Sequence, residues 1–175
     1  MTTYDASNSE IFVYSFKDGL LSKIAHDLKI QASSFSIEMD TEANTLNASV
    51  DALSLKVLCC MKRGVPAPNT LSASDKKKIE VNLLKNVLNT KRFPKISFVS
   101  SSIQPESDGF SIQGELSLHG RTRSVRVRAT RQGHLLVAEL TLHQPDYGIK
   151  PFKAMMGTLK VKPDVKVVIS IPADL

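Results

Sequence analysis

Gly114-Glu115-Leu116-Ser117-Leu118-His119-Gly120-Arg121-Thr122-Arg123-Ser124-Val125-Arg126-Val127 alternates apolar and polar residues, breaks at Gly120, and alternates again on the far side. That pattern specifies two antiparallel strands joined at a tight corner, each with one face for a core and one for water. Most of the chain after Lys91 repeats it. Ile96-Ser97-Phe98 leads to Ile103, Asp108-Gly109 makes a hairpin turn, and Phe110–His119 runs back. Thr122–Arg131 and His134–His143 follow, and Val165–Ile171 closes the series after an irregular insert, Pro145–Gly157.

Upstream, Ile11–Phe16 reads as a first strand, and Leu20–His26 as a short helical segment with Ser22 as its cap. Leu28–Asp40 and Thr45–Val57 each read as one alternating strand, and the prolines in Lys62–Asn69 mark a loop. One longer helix follows, capped by Ser72 or Ser74, with Ile79, Leu83 and Val87 at i, i+4, i+8 and Leu84 and Leu88 widening the stripe. Lys76–Lys78 oppose its dipole, which points to a weak first turn or else to a local ligand. The sum is about eight antiparallel strands with an amphipathic helix between the third and fourth. Closure removes exposed edges, so the expected fold is an eight-stranded antiparallel barrel, in one domain over residues 1–175. A barrel of that size either fills with side chains or holds one ligand.

The 175 residues are 42% hydrophobic and 23% charged, ordinary for a globular chain with a substantial core. No window is apolar enough to span a membrane as a helix. Met1–Glu10 is polar and acidic, without the features of a secretory signal. As written the chain reads as cytoplasmic, or as periplasmic if it is a trimmed mature form. A net charge of +6 raises nucleic acid or an anionic membrane surface as partners. However, the charge is dispersed and aromatic content is 6% with no Trp, poor material for stacking bases.

Catalytic patterns are thin. Cys59 and Cys60 are adjacent, which suits neither an ordinary disulfide nor a cysteine-based zinc site. One reads as a small core residue, the other as incidental. His26, His119, His134 and His143 lack metal-ligand spacing. His119 shares parity with Glu115 and Ser117, so it faces away from the interior and suits a corner hydrogen bond. No catalytic residue, metal or cofactor is expected; an enzyme acting through His26 or His119 is the weakest reading.

Four segments carry a family resemblance. Gly19–Leu28, with Ala25-His26-Asp27-Leu28, resembles the His-Leu signature near the start of YceI-like proteins. Asn89–Ser100 is similar to their Tyr/Phe-Pro-x-Ile-x-Phe-x-Ser stretch, Gly114–Thr122 to their Gly-x-Leu-Thr-x-His-Gly-x-Thr motif, and Asp146-Tyr147-Gly148-Ile149 to their Asp-Phe-Gly turn. They occur in family order across nearly the whole chain. Departures are Ser124 where the family usually has Pro, His-Asp-Leu for His-Leu, and the Cys59–Asn69 region. The resemblance implies a lipocalin-like barrel whose interior binds a polyisoprenoid, such as a prenyl diphosphate or a quinone tail, without catalysis.

Parity then nominates a tunnel lining: Ile24, Leu28, Phe35, Ile37, Val50, Leu84, Leu88, Phe93, Ile96, Phe98, Ile112, Leu116, Leu118, Val125, Val127, Leu140, Leu142, Phe152, Met155 and Met156. If Val125 and Val127 face inward, Arg126 and Arg128 face solvent, whereas Arg121 and Arg123 take the inward register near a mouth. There a guanidinium can pair with a diphosphate or a quinone carbonyl. Alternatively both turn out at the corner into water. Phe152, Met155 and Met156 suit a lid or tunnel wall, or equally core filler. The preferred expectation is a carrier or sensor of an isoprenoid lipid, with a homodimer left open. An electrostatic adaptor for nucleic acid or anionic membrane is the alternative.

Overall fold

The computed structural model describes residues 1–19 and 25–173. The strands are β1 (Thr2–Asp5), β2 (Glu10–Lys17), β3 (Asp27–Ala32), β4 (Phe35–Asp40), β5 (Thr45–Asp51), β6 (Leu55–Lys62), β7 (Val65–Ala67), β8 (Lys95–Glu106), β9 (Gly109–Leu118), β10 (Arg121–Gln132), β11 (Leu135–His143), β12 (Lys153–Ala154) and β13 (Leu159–Pro172). The α-helix α1 (Ala73–Val81) runs on into a π-helical turn, Asn82–Val87. Twelve strands form one antiparallel ladder in the order β1-β4-β5-β8-β9-β10-β11-β13-β2-β3-β6-β7, and β12 pairs with β13 alone.

The fold is therefore mainly β with one α-helix, but it is not the closed eight-stranded barrel of the sequence reading. The ladder ends at β1 and β7, and the sheet is a curled half-barrel. Two missed corners account for much of the difference. Leu28–Asp40 breaks at Ser33-Ser34 into β3 and β4, and Thr45–Val57 breaks at a short turn, Ala52–Ser54, into β5 and β6. Alternation holds on each side of both corners, but its phase flips: Leu28, Ile30 and Ala32 give way to Phe35, Ile37 and Met39, and Leu46, Ala48 and Val50 to Leu53, Leu55 and Val57, a shift the sequence reading passed over. Hydrogen bonds hold both corners. Asp51 accepts from the Leu53 backbone N–H, and the Ser33 and Ser54 hydroxyls donate to carbonyls across the gap. As a result β3 pairs with β6, while β4 pairs with β5.

From β8 onward the sequence reading and the strands agree closely. β9 and β10 pair in unbroken register from Leu118↔Arg121 to Gly109↔Thr130. The corner between them is His119 at φ +52° and Gly120 at φ +74°. Gly120 is needed for contact as well as conformation, because a Cβ there would lie 2.6 Å from the Phe93 ring. The expected segment Leu20–His26 lies largely outside the described residues, although Ala25 and His26 are not helical. Cys59 and Cys60 are both buried and unpaired, so neither is incidental; burial pushes the Cys60 thiol upward, away from reactivity.

Candidate functional site: an apolar cavity inside the half-barrel

A cavity of about 440 Å³ runs through the interior. Its wall follows the strand alternation. Ile11, Val13 and Ser15 face it from β2, Leu136, Ala138, Leu140 and Leu142 from β11, and Val165, Val167, Ile169 and Ile171 from β13. The period of two puts every second residue on the wall and its neighbour in water. Since Val161 and Ile171 both line it, the cavity extends along roughly 30 Å of β13 at about 3.3 Å per residue. Ile79, Leu83, Val87 and Leu88 complete the wall from α1 and the turn beyond it. Ser72 caps α1, its hydroxyl accepting from the Asp75 N–H at 3.1 Å.

Small side chains keep the space open. Ala129 and Ala138 face each other across β10 and β11, and Ala48 sits opposite Phe98; all line the cavity. At one end Ile11, Leu136 and Ile171 belong to the main side-chain core with Tyr4, Phe35, Ile37 and Ala173. The opposite end of the strands, here termed the mouth, is lined by His26, Gln144, Phe152, Leu159 and Val161.

Of the expected lining, Leu28, Val50, Leu88, Ile96, Phe98, Ile112, Leu116, Leu118, Val127, Leu140, Leu142 and Phe152 are on the wall. The others are not. Phe35, Ile37 and Leu84 are taken up by the main core. Val125 packs against the cluster of Leu116, Tyr147 and Ile149. Phe93 lies beneath the corner, its ring 4.5 Å from that of His119. Met155 and Met156 are exposed, at 60% and 107%. Ile24 falls outside the described residues.

Arg121 and Arg123 take the outward course. Arg123 Nε donates to the Asp146 carbonyl at 3.0 Å, and the Arg121 guanidinium lies against Gly148, about 3 Å from where a Cβ would be. Both are exposed and clamp the Gln144–Tyr147 turn on the outside. His119 Nδ1 is 3.1 Å from the Tyr147 carbonyl, the corner role its parity indicated. Behind it Tyr147 is buried, and burial raises its phenol.

The polar side chains on the wall, among the described residues, are Ser15, His26, Lys78, Asn82, Ser97 and Gln144. Gln144 is committed, donating to the Lys162 carbonyl at 3.0 Å, and Asn82 accepts from Asn86 at 2.8 Å. Lys78 is the one lysine or arginine on the wall and has no ion pair among the described residues. Sequence reading named Lys78 only within its lysine run and passed over Asn82, although each precedes a stripe residue, Ile79 or Leu83, by one position and so flanks the apolar face.

The model of the YceI-like domain matches residues 3–173. The chain belongs to the YceI-like family. Solved structures agree in fold. The chain is similar to BcnA of Burkholderia cenocepacia, with 16% identity, 97% of this chain and 98% of that chain covered, and a TM-score of 0.66. A polyisoprenoid-binding domain from Saccharophagus degradans, implicated in plant cell wall breakdown, superposes at TM-score 0.58 with 11% identity, over 97% of this chain and 94% of that one. The YceI protein of Campylobacter jejuni gives 0.57 with 14% identity, over 89% and 92%. No curated protein matches the chain. Of the four family-like segments, the Gly114–Thr122 and Asp146–Ile149 stretches meet in the structure through the His119–Tyr147 contact.

Proposed function

We propose that this YceI-like chain is a non-enzymatic binder of one isoprenoid lipid, its tail in the cavity and its head at the mouth. The observation that carries the reading is an apolar cavity of about 440 Å³ drawn out along β13 from Val161 to Ile171. That shape fits one extended chain, and the polyisoprenoid-binding description of the Saccharophagus degradans domain supports a prenyl chain. Each buried methylene contributes about 0.8 kcal/mol, so a five-carbon prenyl unit contributes about 4 kcal/mol. Association costs on the order of 4–15 kcal/mol. Two or three units barely offset that cost, so tight binding calls for a longer tail.

The head group meets Lys78, Asn82 and His26. Lys78 supplies the positive charge that a prenyl diphosphate needs, whereas a quinone carbonyl needs only a donor. As the chain's primary role, electrostatic adaptation draws less support, because two arginines of β10 serve their own surface. Arg128 pairs with Glu106 and Asp108 at 2.7 and 3.0 Å, and Arg131 donates to the Ala173 carbonyl.

Binding of a prenyl alcohol and of its diphosphate to delipidated protein, wild type and Lys78→Ala, tests the assignment. The diphosphate is expected to lose about tenfold from a single charge-assisted contact, and the alcohol to bind unchanged. Failure of the wild-type protein to take up either probe overturns the reading.

A further inference from the structure

The hairpin at the cavity mouth has a composition that the cavity does not explain. Residues 148–163 hold four lysines, Lys150, Lys153, Lys160 and Lys162, and no acidic residue. All four are exposed, and none forms an ion pair among the described residues. Lys153 and Lys160 are direct cross-strand partners in the two-residue ladder of β12 and β13. Like charges placed opposite each other oppose that pairing.

Its tip is also unfavourable in isolation. Met155 and Met156 both adopt left-handed backbone, at φ +52° and +56°, a conformation that residues with a Cβ rarely take. The turn is held by the Thr158 N–H and hydroxyl, which donate to the Met155 carbonyl at 3.1 and 2.8 Å. What this fixed geometry presents to solvent is two methionine side chains, the more exposed of them at 107%. Immediately behind them Phe152 and Leu159 lie on the cavity wall.

We infer that the Lys153–Lys160 hairpin is a membrane-docking finger, which seats the cavity mouth on an anionic lipid bilayer with Met155 and Met156 entering the headgroup layer. Negative lipid relieves the repulsion between Lys153 and Lys160, and apolar material at the tip gains by leaving water. Charge complementarity selects the partner: an uncharged surface offers the lysines nothing. A lipid passing between bilayer and cavity then crosses no water, a consequence that rests on the isoprenoid reading; the docking itself does not.

Co-sedimentation of delipidated full-length protein with phosphatidylcholine vesicles, with and without phosphatidylglycerol, tests this. Wild type is expected to bind the anionic vesicles and to be released by salt. Each surface lysine is worth about fivefold, so Lys153→Ser/Lys160→Ser is expected to bind about twenty-five-fold more weakly, and Lys153→Arg/Lys160→Arg normally. Met155→Ser/Met156→Ser is expected to lose about tenfold or more. Both pairs are exposed, and prenyl-probe uptake by each variant reports an intact cavity. Equal binding to neutral vesicles, unchanged binding by the serine variants, or salt-sensitive binding to duplex DNA without binding to vesicles would overturn the finger. Because the vesicle assay uses empty protein, its failure leaves the isoprenoid reading standing, and the reverse holds as well.

Discussion

Replacing Ala138 with leucine separates an open binding cavity from an ordinary core. Ala138 lies on the wall opposite Ala129, with Ile169 on its other flank, and is one of the small residues that keep the interior open. In a filled core, adding three carbons causes overpacking that costs about 1–3 kcal/mol. Beside an empty cavity the same carbons find space and bury against apolar neighbours, so the delipidated protein is expected to keep or gain stability in denaturant unfolding. The bound tail, in contrast, gives up an equivalent length. At about 0.8 kcal/mol per methylene, three carbons amount to about 2.4 kcal/mol, or about sixtyfold weaker binding of a tail long enough to reach Ala138. A shorter prenyl probe that stops nearer the mouth is expected to bind unchanged. Both quantities come from one variant, through urea titration and probe displacement. Destabilisation by more than about 1 kcal/mol with unaltered affinity for the long probe would refute the reasoning.

Other positions give sharp expectations. Gly114→Ala places a Cβ 2.4 Å from the Phe98 ring and 2.4 Å from the Val99 carbonyl, so thermal unfolding is expected to show a loss of about 1–3 kcal/mol. Ser72→Ala removes the cap of α1 and is expected to cost about 1 kcal/mol in urea, with little change in prenyl binding. Arg121→Ala/Arg123→Ala, at exposed sites outside the wall, is expected to leave diphosphate affinity within twofold, which titration against the same probe checks.

Much of this molecule can be read from alternation alone, and particular residues show where that stops. Leu116, Leu118 and Val127 reach the wall because a period of two on a half-buried strand leaves them one place to go. Val125 and Arg123 share that parity, yet Val125 packs against Tyr147 and Arg123 reaches out to the Asp146 carbonyl, and no local pattern announces contacts that come from about twenty residues away. The break at Ser33-Ser34 was legible and missed: the apolar residues pass from even positions (Leu28, Ile30, Ala32) to odd ones (Phe35, Ile37, Met39) where the chain changes its neighbours in the sheet. On β2 and β13 the signal was weaker: Ile11 and Val13, Val167 and Ile169 line the wall, but apolar Phe12 and Val168 stand between them, so periodicity alone does not choose the face. The chemistry of the mouth was least legible. Lys78 reads as part of a lysine run, and only the placement of α1 against the half-barrel gives it a view of the cavity.

Solvent extraction of the purified full-length protein, followed by mass analysis against total protein, tests the central claim most directly. A single isoprenoid species near one molecule per chain, with a tail of more than three prenyl units, is the result this structure predicts. Protein recovered without lipid that also fails to take up a long prenyl probe, or one carrying straight-chain acyl lipid in preference to it, would contradict the account.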